Sequence, residues 1–284
     1  MTSQRDPPGT NRPRSKVNPA GRDDAGLLGG SLPAYFEEQV VENAERLAVR
    51  TAQTSLTYSD LNAVANRVAH RILAVGPAAR TVALLFDRGT EFLVAFLAVL
   101  KAGKIAVPLD RTYPRARTDY MLTDAQCEVI VTDTANKGLA LELAQGRTVV
   151  NSDELPGDAL FENPSLEIEP SSYAYLLCTS GSTGEPKGVI ENHRNVLHFS
   201  RVFAESFPIV PDDRITLLTS CSFSASMADI FGALLNGASR GRVFTGRALH
   251  AEALHGRRDS LPSEYAASGL CQRSLSWLGR TGVG

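Results

Sequence analysis

Residues 175–188 read YLLCTSGSTGEPKG, and this stretch decides the fold because a short apolar run passes directly into a loop crowded with hydroxyls and glycines. Tyr175, Leu176 and Leu177 are too few for a helix and are bounded by turn residues, so they predict a buried strand. Gly181 and Gly184 allow backbone geometries in which successive amides point at one anion, while Thr179, Ser180, Ser182 and Thr183 add side-chain donors. Lys187 supplies a mobile positive charge. An ordinary surface turn can carry the same residue types. The density of donors favours a site for polyphosphate.

The flanks of the lysine narrow the chemistry. A Walker-type loop places Gly immediately before Lys and Ser or Thr immediately after it, so that the hydroxyl reaches magnesium. Here Pro186 and Gly188 occupy those places, which argues against an NTPase of that class.

Outward from the loop, apolar and turn residues alternate in blocks. The run 92–100 is nine residues long, far below the roughly 20 needed to span a bilayer. It predicts a buried helix that Thr90 and Glu91 begin and Gly103 ends, followed by a strand over 105–109. A first helix is expected from Leu32, with Tyr35, Phe36, Val40 and Leu47 near helical spacing, and further strands over 48–51, 82–86 and 129–132. Helical stretches between the strands predict α/β layers over a mostly parallel sheet.

Composition fits an enzyme with a large core: 43% hydrophobic residues and a net charge of −2. There is no basic footprint for nucleic acid and no membrane segment. The cysteines at 127, 178, 221 and 271 have no paired metal-ligand spacing, and no secretory leader precedes them. Reduced thiols in a cytoplasmic protein are therefore expected, with no metal cluster. Cys178, beside the loop, reads as a small core residue rather than a nucleophile. Residues 1–30 are rich in Pro, Gly, Arg, Asp and Asn, and are expected to be a disordered leader.

TSGSTGEPKG, followed by VIENHRNV, resembles the signature loop of the adenylate-forming (AMP-binding) superfamily, which includes acyl-CoA synthetases and the adenylation domains of nonribosomal peptide synthetases. Three further segments agree in order. LTYSDLNAVANRVA (56–69) is similar to the first conserved helix region, LAVLKAGKIAVPLDRTYPRARTDYMLTDA (97–125) to the second motif, and FSASMADIFGALLNGA (223–238) to the fourth. The second points to the peptide-synthetase branch.

The resemblance implies a layered αβαβα-type N-terminal domain over residues 31–238, without the small C-terminal domain of complete members. It implies ATP with Mg2+, a carboxylic-acid substrate, and thioester transfer to the phosphopantetheine of a carrier protein or to CoA. It assigns the phosphates of ATP to Thr179, Ser180, Gly181, Ser182, Thr183, Gly184, Lys187 and Gly188, with Lys187 also catalytic. The acyl group falls to Phe223, Ser224, Ala225 and Ala228. Two alternatives stand beside this: a fragment of a stand-alone acyl- or aryl-CoA ligase, and a non-catalytic nucleotide-binding remnant.

Two departures carry expectations. Relatives that activate α-amino acids usually have Asp after the Phe of the fourth motif, and this chain has Ser224. Without that carboxylate a desolvated substrate ammonium costs on the order of a few kcal/mol, which favours an aryl, hydroxy or keto acid, or an amino acid held differently. The stretch 239–284 is the second departure: from 240 on it holds seven Arg, no Lys and little patterning. It reads as an atypical tail arising from a frameshift near residue 239, in a chain expected to be a truncated form with weak or no turnover. His193 is expected to order a helix start, Asp229 to face solvent or cap, and Asp110, Arg111 and Tyr113 to fix a turn and its packing.

Overall fold

The computed structural model describes residues 29–157, 160–180, 186–207, 209, 211–216 and 220–241. Two sheets organise the described chain.

The larger sheet has six strands in the order β6-β5-β3-β4-β7-β8. They are β3 (Thr81–Leu85), β4 (Ile105–Leu109), β5 (Val129–Thr132), β6 (Thr148–Asn151), β7 (Tyr173–Ser180) and β8 (Pro186–Asn192). All neighbours run parallel except β7 and β8, which form an antiparallel hairpin. The sequences TVALL, IAVPL and VIVT are buried at every position. Continuous apolar strands of this kind belong in a parallel sheet covered on both faces. Pro108 has no N–H to give, and β4 matches β7 only at Ala106 with Tyr175.

Side chains on alternate sheet positions enter two separate cores. Val82, Leu84, Ala106, Val129 and Val131 join one with α1 (Leu32–Asn43), α2 (Tyr58–Val75) and α3 (Thr90–Lys101). Ala83, Leu85, Val107 and Ile130 join the other with Met121 and Leu122 of α4 (Arg115–Asp124) and Ala140 and Leu143 of α5 (Lys137–Ala144). The result is helices on both faces of a sheet, the layered α/β class the sequence implies.

Local signals set the boundaries. Helix α2 starts at a reciprocal capping box in which Thr57 Oγ accepts from the Asp60 N–H and Asp60 Oδ2 accepts from the Thr57 N–H, both at 3.1 Å. Helix α3 stops just before Gly103, whose φ of +64° is left-handed backbone suited to glycine. The strands expected at 105–109 and 129–132 match β4 and β5, while those expected at 48–51 and 82–86 lie one residue earlier.

A smaller sheet has the order β2-β1-β10-β9, built from β1 (Leu47–Arg50), β2 (Ser55–Thr57), β9 (Arg214–Thr216) and β10 (Ser239–Gly241). Strand β10 lies inside the stretch read as an unpatterned tail. Its sequence, SRG, carries no apolar alternation, and parallel pairing with β1 on one side and β9 on the other defines it instead. Residues 242–284 and most of the expected leader fall outside the described residues. Among the described residues, no helix is long and apolar enough to cross a membrane.

Candidate functional site

The β7–β8 hairpin presents the loop singled out in the sequence. Its register sets Ser180 opposite Pro186, Thr179 opposite Lys187 and Cys178 opposite Gly188. The two strands thus bring Thr179, Ser180 and Lys187 to one end of the sheet. Gly181, Ser182, Thr183 and Gly184 lie outside the described residues. Lys187 is exposed and Gly188 is buried within β8. At the other end of the hairpin, Asn192 caps α6 (His193–Ser206) by accepting from the Asn195 N–H at 2.8 Å.

Helix α7 (Ser224–Leu234) carries the residues assigned to the acyl group. Phe223 is 58% exposed, Ser224 and Ala225 are exposed, and Ala228 is buried. Residues 224, 225 and 228 are related by three and four positions and so share one helix face. Met227, Ile230, Phe231 and Leu234 are buried in the core. Phe231 stacks on Tyr175 of β7 at 6.5 Å between ring centroids, and Phe96 of α3 touches both rings at 5.9 and 6.0 Å. This aromatic trio ties the acyl-assigned helix to the strand that leads into the loop.

The second motif meets the fourth through hydroxyls. Asp110 Oδ1 accepts from the Thr112 N–H at 3.0 Å and the Thr112 hydroxyl at 2.6 Å, which closes the turn after β4. Its Oδ2 accepts from the Ser220 hydroxyl at 2.8 Å. The Tyr113 and Ser222 hydroxyls lie 3.1 Å apart, and Ser220 and Ser222 lie 3.0 Å apart. Partial burial opposes the ionised Asp110, but the donors from Thr112 and Ser220 and the charge of Arg88 hold its carboxyl below the usual range. Arg111 pairs with Asp87 at 2.6 Å. The turn-fixing roles expected for Asp110, Arg111 and Tyr113 are thereby observed.

His193 is buried, and its Nδ1 accepts the Leu32 N–H at 3.2 Å, which fastens the start of α1 to the start of α6. Burial pushes its pKa down to about 4, so the ring is neutral at ordinary pH and carries its proton on Nε2. It orders helix starts, as expected. Cys178 is buried, which pushes its thiol up to about 11 and makes it a core residue rather than a nucleophile. Among the described residues no group of three or more His, Cys, Asp or Glu could hold a metal.

The sequence reading passed over three contributors. Tyr58 donates from its buried hydroxyl toward the carbonyls of Ala238 at 2.8 Å and Leu234 at 3.3 Å, anchoring the far end of α7. Ser220 and Ser222 anchor its near end. Such contacts span more than a hundred residues, and periodicity within a segment carries no trace of them.

Residues 36–254 match the family model described as AMP-binding enzyme. The chain belongs to that family. Among its curated relatives is tyrocidine synthase 1 of Brevibacillus parabrevis, 37% identical over 214 residues that cover 74% of this chain and 20% of the relative. The chain thus spans about a fifth of that synthase's length. The nonribosomal peptide synthetase FmoA3, bound to α-methyl-L-serine-AMP, superposes with a TM-score of 0.71 at 28% identity, covering 81% of this chain and 26% of that one. The Klebsiella oxytoca NpsA N-terminal subdomain, in complex with 3-hydroxybenzoyl-AMSN, shares the fold with a TM-score of 0.65 at 23% identity, covering 84% and 60%. The layered architecture is that of the N-terminal domain of adenylate-forming enzymes.

Proposed function

We propose that the chain contributes the ATP- and acid-binding part of an adenylation domain that activates a carboxylic acid as its adenylate for transfer to a carrier-protein thiol. The observation that carries this reading is the hairpin that sets Thr179 across from Lys187, with Ser180 next along the strand, at the end of a mostly parallel sheet, continuous with helix α7 through Tyr175 and Phe231. Strand ends of open α/β sheets are where ligands of this size bind.

In the proposed reaction a carboxylate oxygen of the acid attacks the α-phosphorus of ATP. A new P–O bond forms, the bond to the bridging oxygen breaks, and pyrophosphate leaves with its electron pair. A thiol then attacks the acyl carbon of the mixed anhydride and releases AMP. Negative charge builds on phosphate oxygens, and donors fixed in advance are the main way a protein lowers that barrier. Thr179, Ser180, Gly181, Ser182, Thr183, Gly184 and Gly188 are assigned the phosphates, and Lys187 adds the cation. Magnesium would be held mainly by the nucleotide's own phosphates, as is usual for a cation that keeps few protein ligands, and would supply charge neutralisation to the triphosphate.

The acyl site is assigned to Phe223, Ser224, Ala225 and Ala228. Ser224 supplies no charge for a substrate ammonium, so the reading favours an aryl, hydroxy or keto acid. A cytoplasmic location goes with carrier-protein chemistry. ATP–pyrophosphate exchange on the purified chain, across a panel of aryl, hydroxy, keto and amino acids, tests the reading. Exchange driven by a non-amino acid supports it, and exchange driven only by an ordinary α-amino acid would overturn the Ser224 assignment. AMPPNP that fails to bind at all would overturn the nucleotide site.

A further inference from the structure

Helix α7 begins without the usual means of fixing its start. Its N-cap residue, Phe223, offers no side-chain hydrogen bond to the first turn, although the first N–H groups of a helix need partners. What holds the start in place comes largely from the residues before the helix. The Phe223 N–H donates to the Ser220 carbonyl at 3.0 Å, and the Ser226 hydroxyl turns back to the Phe223 carbonyl at 2.6 Å. The residues just before the helix are then gripped by the turn after β4: Ser220 by Asp110 at 2.8 Å and Ser222 by Tyr113 at 3.1 Å. That turn is itself rigid, because Thr112 gives Asp110 two hydrogen bonds and Arg117 stacks over the Tyr113 ring at 4.1 Å.

We infer that Asp110 and Tyr113 are positioning residues for the acyl group, acting through Ser220 and Ser222 to set where Phe223 and Ser224 stand at the start of α7. This rests on the proposed assignment of Phe223, Ser224, Ala225 and Ala228 to the acyl group. Neither residue has to touch substrate. Their effect follows from geometry, because a shift of about 1 Å at a positioned group costs as much as a hundredfold in an oriented reaction. The nucleotide phosphates meet the hairpin instead, so loss of the grip weakens acid recognition and spares ATP.

The test compares the wild-type chain with Asp110→Asn, Tyr113→Phe, Ser220→Ala and Ser220→Thr. Two quantities are read: hydrogen–deuterium exchange of residues 221–228, and calorimetric affinity for AMPPNP and for acyl-sulfamoyl adenosines bearing aryl, hydroxy, keto and amino acids. Asp110→Asn and Ser220→Ala are expected to speed exchange at 221–228. They should weaken the best sulfamoyl adenosine about tenfold while leaving AMPPNP unchanged, and Ser220→Thr, which keeps the hydroxyl, should restore both. Because Asp110 and Ser220 share one contact, the double variant should lose no more than the weaker single variant. Unchanged exchange overturns the grip. Faster exchange with both ligands weakened equally overturns the acyl role and leaves a purely structural one. A wild-type chain that binds AMPPNP but prefers no sulfamoyl adenosine over it overturns the acyl-site assignment itself, and the inference with it.

Discussion

Single side chains divide here into Lys187, the cation proposed for the nucleotide, and those that hold the fold together. Lys187 is exposed on β8, so Lys187→Ala should cost little stability, on the order of 0.5 kcal/mol, yet weaken AMPPNP binding about tenfold. Thermal melts and calorimetry on the same sample separate the two. His193 is of the second kind. Its folded pKa, near 4, lies below the ordinary histidine value of 6.5, so between those values the unfolded chain binds more protons than the folded one. Stability is therefore complete above pH 6.5 and is lost as pH falls toward 4, by on the order of 2–3 kcal/mol. Urea denaturation at pH 7 and pH 5 should show a drop in midpoint that His193→Gln largely removes. An equal drop in the variant would assign the loss to other groups.

At the scale of elements, the strands were the most legible because burial on both faces writes itself as an unbroken apolar run, as in IAVPL and VIVT. Helix α3 was equally plain: nine apolar residues, then Gly103. That glycine sits at φ +64°, where a Cβ crowds the backbone, so Gly103→Ala should cost about 1 kcal/mol and Gly103→Asn less. Chemical denaturation of both variants checks the order. Strand β10 left no such mark, because SRG has no pattern of its own and owes its conformation to neighbours on both sides. The sequence points to a candidate site where local chemistry concentrates, in the loop and in the FSAS segment. It was opaque where hydroxyls meet across the fold. Tyr58 lies in the first motif and bonds to Ala238, at the end of the fourth. Tyr58→Phe keeps the ring and strands a buried carbonyl, which should cost about 1–2 kcal/mol, measurable as a lowered denaturation midpoint.

Over the whole molecule, the motifs are parts of one brace around α7. The first motif holds its far end through Tyr58 and the second its near end through Asp110 and Tyr113, while β7 packs against its middle through Tyr175. Ordered motifs spread along a chain make physical sense when each supports the same helix. The segment joining β6 to β7 serves the same core from outside. Asn163 Oδ1 accepts from Asn62 at 3.0 Å, Asn66 at 2.9 Å and the buried Lys101 at 3.2 Å. Lys101 also pairs with Glu37 of α1, and burial draws its pKa down. One amide oxygen thus fastens a long irregular segment to α2 and α3 and shares a cation with α1. Asn163→Ala leaves the buried Asn66 amide, the half-buried Asn62 amide and a buried ammonium each short of an acceptor, at a cost of about 2–3 kcal/mol. Because the loss falls on a segment with little secondary structure, limited proteolysis should cut the variant first between residues 157 and 168. Cleavage distributed evenly along the chain would mean that Asn163 supports global stability and has no special hold on this segment.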